Sequence, residues 1–159
     1  MTPHTTYIDD PKIVEQLSNH LSTQLALCDA LEKVADSLPN NVDTQTALHL
    51  TTQIYATIKH AHQFEEEQLF PLITNNSPSD NVSETLQQLH SDHWEDESYA
   101  FELQDALLGY ITKPKSANPE ALGYMLRGFF KSLRRHIAFE RQYFSTHLPP
   151  HQPNKVYQS

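Results

Sequence analysis

The sequence predicts an all-α protein that folds as an up-down-up-down antiparallel four-helix bundle. It contains only 3 glycines, and no segment keeps up the two-residue alternation of a strand. Four long segments instead repeat apolar residues at steps of three and four, the spacing of one helix face. Short connections join these segments, so neighbouring helices should pack antiparallel. With 159 residues we expect one domain over 1–159, with the bundle from about 10 to 147 and a loose tail over 148–159.

The first two helices are marked by their prolines. The first should run from about 10 to 38, with Pro11 in its first turn and the Pro39-Asn40-Asn41 segment after its end. The second should run from about 43 to 73. Pro71 near its end should kink or loosen the last turn, because proline cannot donate a backbone hydrogen bond.

The last two helices have clear boundaries. A loop over 74–80, rich in Asn, Ser and Pro, should precede a third helix over about 81–111. The fourth helix should start with Asn118 as N-cap and Pro119 at the first helical position, and stop before Leu148.

The composition excludes several classes of protein. The chain has 11 Lys+Arg against 20 Asp+Glu, for a net charge of -9, which argues against binding to nucleic acid or to an anionic membrane surface. A single cysteine, Cys28, excludes an internal disulfide. There is no apolar run long enough to span a membrane and no signal-peptide pattern at the N-terminus, so we expect a cytoplasmic protein.

The apolar face of every helix is interrupted by polar residues near one level. Counted from the turns, the four histidines at these interruptions fall in one layer, to within about one helical turn. Charged groups in a bundle core are costly unless they are paired or bind a metal. The interruptions are His20 in the first helix, His62 and Glu65/Glu66 in the second, His93 and Asp96/Glu97 in the third, and His136 and Glu140 in the fourth.

Three of these histidines are followed by a glutamate four residues later, which puts both side chains on one helix face. Chance alone gives about 0.7 such pairs, and surface ion pairs have the same spacing. The coincidence of spacing, face and level favours a metal site. Four imidazoles and two or three carboxylates are too many for one tetrahedral zinc; they suit two metals bridged by carboxylates. Iron fits such donors best, with zinc or manganese as substitutes.

The pattern resembles the hemerythrin-like (HHE cation-binding) domain over about residues 10 to 147. It is carried by His20, His62-x-x-x-Glu66-Glu67-x-x-Phe70-Pro71, His93 and His136-x-x-x-Glu140. The resemblance implies an oxo- or hydroxo-bridged di-iron site with Glu66 and Glu140 as bridges and an open position for O2, NO or peroxide. The oxygen carriers of the family have a histidine at the position of Glu97. The chain therefore resembles more closely the bacterial and regulatory members, associated with sensing, nitric oxide or peroxide chemistry.

Some roles stay open at this stage. His93 is favoured over His90, which lies one position off the apolar seam. Glu97 is either a third carboxylate ligand, an outer partner or a surface residue. Glu65 and Glu67 are expected to be solvated, or to orient a ligand histidine. The predicted metal ligands are thus His20, His62, Glu66, His93, Glu97, His136 and Glu140.

The function also has alternatives. A di-iron protein that acts as sensor, store or oxidoreductase is the leading hypothesis. A structural or interaction module that holds zinc or iron without redox turnover is the second. A plain bundle with paired histidines is the third. A wide apolar face on the fourth helix further predicts a homodimer; it comprises Met125, Leu126, Phe129, Phe130, Leu133, Ile137, Phe139 and Phe144.

Overall fold

A computed structural model describes residues 11–148, and the prediction of a loose C-terminal tail falls almost wholly outside them. The described chain forms four helical rods and contains no strand, so the predicted all-α bundle is confirmed. The rods are α1 (Pro11–Ser37); a composite rod of α2 (Thr44–Leu50), α3 (Ile54–Phe64), a π-helix (Glu65–Leu69) and α4 (Phe70–Asn76); α5 (Asp80–Thr112); and α6 (Pro119–His147).

The rods pack in a ring around one core. α1 lies against α6 and α3, and α5 closes the ring by packing against α3 and α6. The predicted start of α6 is confirmed: the Asn118 side chain accepts hydrogen bonds from the backbone N–H groups of Glu120 and Ala121, and Pro119 follows it. A serine that was not predicted, Ser79, caps α5 by accepting from the N–H of Val82. These side chains satisfy N–H groups that have no partner within the helix.

The prediction of one continuous second helix over 43–73 was wrong at residues 51–53. There the Thr51 and Thr52 hydroxyls donate to the carbonyls of Leu48 and His49. Such local bonds compete with the helical pattern. The α5 side chain Gln104 then accepts from the backbone N–H of Tyr55, which begins α3 against its neighbour.

The second helix also changes its pitch where Pro71 was expected to loosen it. The Phe70 N–H donates to the carbonyl of Glu65, five residues back, which is the π-helical pattern. Pro71 has no N–H to continue the ordinary pattern, so the irregularity lies just before it. The helix then continues to Asn76, and the predicted loop over 74–80 shrinks to residues 77–79.

Most of the wide apolar face of α6 is used inside the bundle. Six of its eight residues are buried: Leu126, Phe129, Phe130, Leu133, Ile137 and Phe144. Met125 is partly buried against the core, whereas Phe139 is 51% exposed. Packing within one chain thus accounts for most of the pattern that suggested a homodimer through α6, and the dimer stays a prediction that rests on Phe139.

Candidate metal centre

Three of the four predicted histidines come together in the core. The rings of His62 and His93 stack with their centroids 3.8 Å apart and their planes 9° from parallel. His136 lies 5.6 Å from His93 and 6.3 Å from His62, centroid to centroid. His62 and His93 are 2% and 1% exposed, so three helices deliver imidazoles to one buried layer.

Two buried carboxylates face this histidine layer. Glu140 Oε1 accepts from His93 Nε2 at 3.1 Å and lies 2.7 Å from His136 Nε2. Glu65 Oε2 lies 2.8 Å from the same His93 nitrogen, and Glu65 is fully buried. Donor atoms of His93, His136 and Glu140 all lie within 4.8 Å of one another, which is close enough to share one cation.

Glu65 occupies the place that the sequence suggested for Glu66. Glu66 is half-buried, and its Oε1 accepts from His93 Nδ1 at 3.1 Å, on the side of the ring turned away from Glu140. The same oxygen accepts from His90 Nδ1 at 2.6 Å. A carboxylate on the outer nitrogen of a metal-binding histidine commonly orients that ring. Glu66 as a ligand remains a prediction.

The preference for His93 over His90 matches the burial of the two residues. His93 lies inside the layer, whereas the side chain of His90 is 71% exposed at the surface.

The remaining predicted ligands lie at the margin of the layer. The Glu97 carboxylate is 3.5 Å from His62 Nδ1 and 3.3 Å from the ammonium of Lys59. The His20 ring stacks on Phe64 with centroids 4.9 Å apart, rather than on the other histidines. Burial lowers the pKa of His20, and nearby His60 lowers it further.

Asp96 is a site neighbour that was noted on the seam but not proposed as a ligand. It accepts from His136 Nδ1 at 2.7 Å, as Glu66 does from His93. The signal for this contact is its position three residues after His93, on the same face of α5. The signal for Glu65 is its position three residues after His62, on the same helix face; Glu66 comes next on that face, and the helical period does not choose between the two.

The carboxylates decide the protonation of the layer. Burial alone lowers the pKa of His93, but bonds to Glu140 and Glu65 outweigh it and raise the pKa to about 10. Burial opposes charge on His136 too, and there Asp96 and Glu140 raise the pKa to about 10. Burial and the neighbouring Glu140 raise the pKa of Glu65 well above its usual range. Glu140 shows the reverse: the histidines overcome its burial and lower its pKa.

His62 is the neutral member of the layer. Burial lowers its pKa to about 2, and the neighbouring charged His93 adds to this effect. A neutral imidazole has a free lone pair, which is the form that binds metal.

The layer contains polar atoms that the protein itself does not satisfy. His62 Nδ1, His136 Nε2 and both carboxylate oxygens of Glu65 are buried without a hydrogen-bond partner of good geometry. Buried polar groups without partners are rare and costly in folded proteins. Imidazole nitrogens and carboxylate oxygens are also the donors that iron, zinc and manganese accept. The layer therefore fits a bound cation.

Comparison with protein families agrees with this chemistry. The family described as the hemerythrin HHE cation binding domain matches residues 13–148. The chain belongs to the hemerythrin HHE cation-binding family. This hemerythrin-like chain contains all seven predicted ligands within the matched region, and membership makes it a cation-binding protein.

The other comparisons add no relative. Neither the curated proteins nor the solved structures give a match to this hemerythrin-like chain. Among the described helices, none is both long and apolar enough to cross a membrane.

Proposed function

We propose that this hemerythrin-like protein holds two iron ions in its histidine–glutamate layer and binds or reacts with O2, NO or peroxide. Its role would be sensing, storage or protection from oxidative stress. The observation that carries the proposal is the buried layer itself. It has three imidazoles and two carboxylates, several of whose donor atoms lack partners. Bound iron would supply a redox-active centre with an open position for a small ligand.

Each residue of the layer has a task in this proposal. His62, His93 and His136 would hold the ions together with Glu65 and Glu140, while Glu66 and Asp96 orient two of the rings through their outer nitrogens. The buried Phe70 ring stacks 5.6 Å from His93 and helps to keep water out of the layer.

Two further predicted ligands lie at the edge of the histidine layer and would complete the coordination of the ions. His20, stacked on Phe64, and Glu97, 3.5 Å from His62, are the nearest further donors. Glu97 adds negative charge where the oxygen carriers have an imidazole. A carboxylate there favours a higher oxidation state of iron, which supports a sensing or reactive role over reversible oxygen carriage.

The test is to load the protein anaerobically with Fe(II), remove free metal and count iron per chain. We expect about two irons per chain, and a change in the optical spectrum on adding O2 or NO. The double variant His62→Ala/His136→Ala should lose the iron. His49→Ala is the matched control, because His49 is exposed and lies outside the layer. Full iron content in the double variant would refute the assignment.

A second function has its own support. The cluster of His93, His136 and Glu140 offers three donors within 4.8 Å, and the buried Glu65, 2.8 Å from His93 Nε2, would supply the fourth ligand of a closed site. A single structural zinc or iron would then stabilise the bundle without redox turnover. One metal per chain, a higher melting temperature and an iron form inert to O2 and NO would favour this alternative.

A further inference from the structure

Helix α5 is strongly acidic. Its 33 residues carry eight carboxylates and not one lysine or arginine. α6, which packs beside it, carries five basic residues. The same helix α5 supplies His93 to the metal centre. A surface lined by one sign of charge raises the local concentration of the opposite ion.

A cavity opens on this acidic side, where α5 meets α3. Its volume is about 400 Å³, and Tyr55 and Lys59 of α3 line it together with Trp94, Phe101 and Glu102 of α5. Glu97 forms its inner wall, because the Glu97 carboxylate touches both Lys59 at the mouth and His62 in the buried layer. One side chain thus separates this cavity from the metal centre.

A buried nitrogen without a partner lies directly behind that wall. His62 is 2% exposed, and its Nδ1 has no hydrogen-bond partner although it lies 3.5 Å from Glu97. This nitrogen is the first ligand atom that an ion would meet after passing Glu97. The cavity therefore combines an acidic surface with a free donor at its inner end.

The other two contacts between the layer and the surface are more tightly closed. The hydrogen bond between His90 and Glu66 is 2.6 Å long, and that between His136 and Asp96 is 2.7 Å long. The Glu97 carboxylate makes only the longer contacts of 3.3 Å to Lys59 and 3.5 Å to His62. Lys59 has a long flexible side chain and its contact with Glu97 is longer than the other two, so the Lys59–Glu97 contact is the easiest of the three to open.

The geometry points to this cavity as the route by which a divalent cation reaches the buried centre, with Lys59 as its gate. The inference rests on the proposed function in that the layer must bind metal. The carboxylates of α5 attract the cation, and the ammonium of Lys59 opposes it until the lysine swings into solvent. Glu97 then passes the cation to His62.

Stopped-flow uptake of Co(II) by the metal-free full-length protein tests the route. Visible absorption reports Co(II) binding, and the fluorescence of Trp94, the one tryptophan of the chain, reports events at the cavity. We expect Lys59→Met to speed uptake about threefold and Glu102→Lys to slow it about threefold. The first removes one positive charge that repels the cation, and the second replaces a carboxylate that attracts it by an ammonium. Equilibrium affinity should change less than twofold in Glu102→Lys, because Glu102 lines the cavity and does not belong to the layer.

Two distant substitutions provide matched controls. Lys115→Met and Glu120→Lys make the same charge changes near the start of α6, where Glu120 lies about 24 Å along the helix from His136. That distance exceeds two Debye lengths at physiological salt, so both controls should bind Co(II) at the wild-type rate. Circular dichroism confirms that every variant is folded.

The outcomes separate the route from the function. Rates that change equally in the cavity variants and their controls would overturn the route while leaving the metal centre intact. So would rates that change in none of the four variants. Failure of the wild-type protein to bind Co(II) at equilibrium would refute the metal centre, and the route with it.

Discussion

Replacing Glu65 by glutamine should weaken metal binding far more than the same change at Glu66. Glu65 is fully buried, with both oxygens in the histidine layer and no hydrogen-bond partner of good geometry. Within the layer Glu66 contacts only the outer nitrogen of His93; its other partner is the exposed His90, and its side chain is 32% exposed. The two variants remove the same charge from neighbouring positions, so their difference isolates which carboxylate faces the cation.

The structure sets the expected magnitudes. Loss of an outer carboxylate that orients a ligand costs about 10–100-fold in metal affinity, and the partial exposure of Glu66 places it near the lower end. Loss of a carboxylate that faces the ion directly should exceed about 100-fold, or about 2.7 kcal/mol. The raised pKa of Glu65 favours the neutral carboxylic acid in the metal-free protein, so glutamine should cost that form less than about 1 kcal/mol.

The assay is competition for Zn(II) with a chromophoric chelator, together with urea unfolding of the metal-free proteins. A larger loss of affinity in Glu66→Gln than in Glu65→Gln would refute the reasoning. It would show that Glu66, not Glu65, turns inward to meet the cation, as the sequence suggests. If the metal-free variants and the wild-type protein have equal free energies of unfolding, a general loss of stability is excluded as the cause of the weaker metal binding.

Three further predictions concern protons and packing. The pKa values of His93 and His136 are raised to about 10, so both histidines hold protons at pH 7 in the metal-free protein. Metal binding at pH 7 should therefore release about two protons, measurable with an indicator dye in weak buffer; no release would contradict these shifts. Gly109→Ala should raise the free energy of unfolding by about 0.5–1 kcal/mol, since a Cβ there meets nothing within 4 Å. Gly128→Ala should raise it less, because its Cβ would lie 2.8 Å from a tyrosine hydroxyl. Urea titration measures both, and an equal increase in the two variants would contradict this difference in packing. Leu126→Ala in the core should lower the free energy of unfolding by about 2–5 kcal/mol in the same titration, and a loss below about 1 kcal/mol would argue against this packing.

The same pKa directions give the metal-free protein a defined dependence on pH. His93 and His136 have pKa values raised above that of the unfolded chain. Their contribution to stability is therefore complete below about pH 6.5 and is lost as pH rises toward about 10. Metal affinity should move the opposite way, because bound protons compete with the cation.

Much of this protein follows from local rules that the sequence carries by itself. The apolar spacing, the Asn118-Pro119 start and the position of His93 on its seam depend on the 3.6-residue period and on backbone capping. Both act within a few residues, so the bundle and a histidine layer at one level were predictable. The family resemblance, carried by the residues of the same layer, was confirmed over 13–148.

Other features were decided only when the helices packed. The helical period places both Glu65 and Glu66 on the face of His62, and only the packed structure shows that Glu65 is the fully buried one. Contacts between helices such as His136–Asp96 and Lys59–Glu97 join residues far apart in the chain, and no local pattern specifies them. The sequence thus determined which level of the bundle carries the chemistry, because that depends on helical period alone. The tertiary structure decided which carboxylate faces the histidines, because that depends on how side chains from three helices meet at one point.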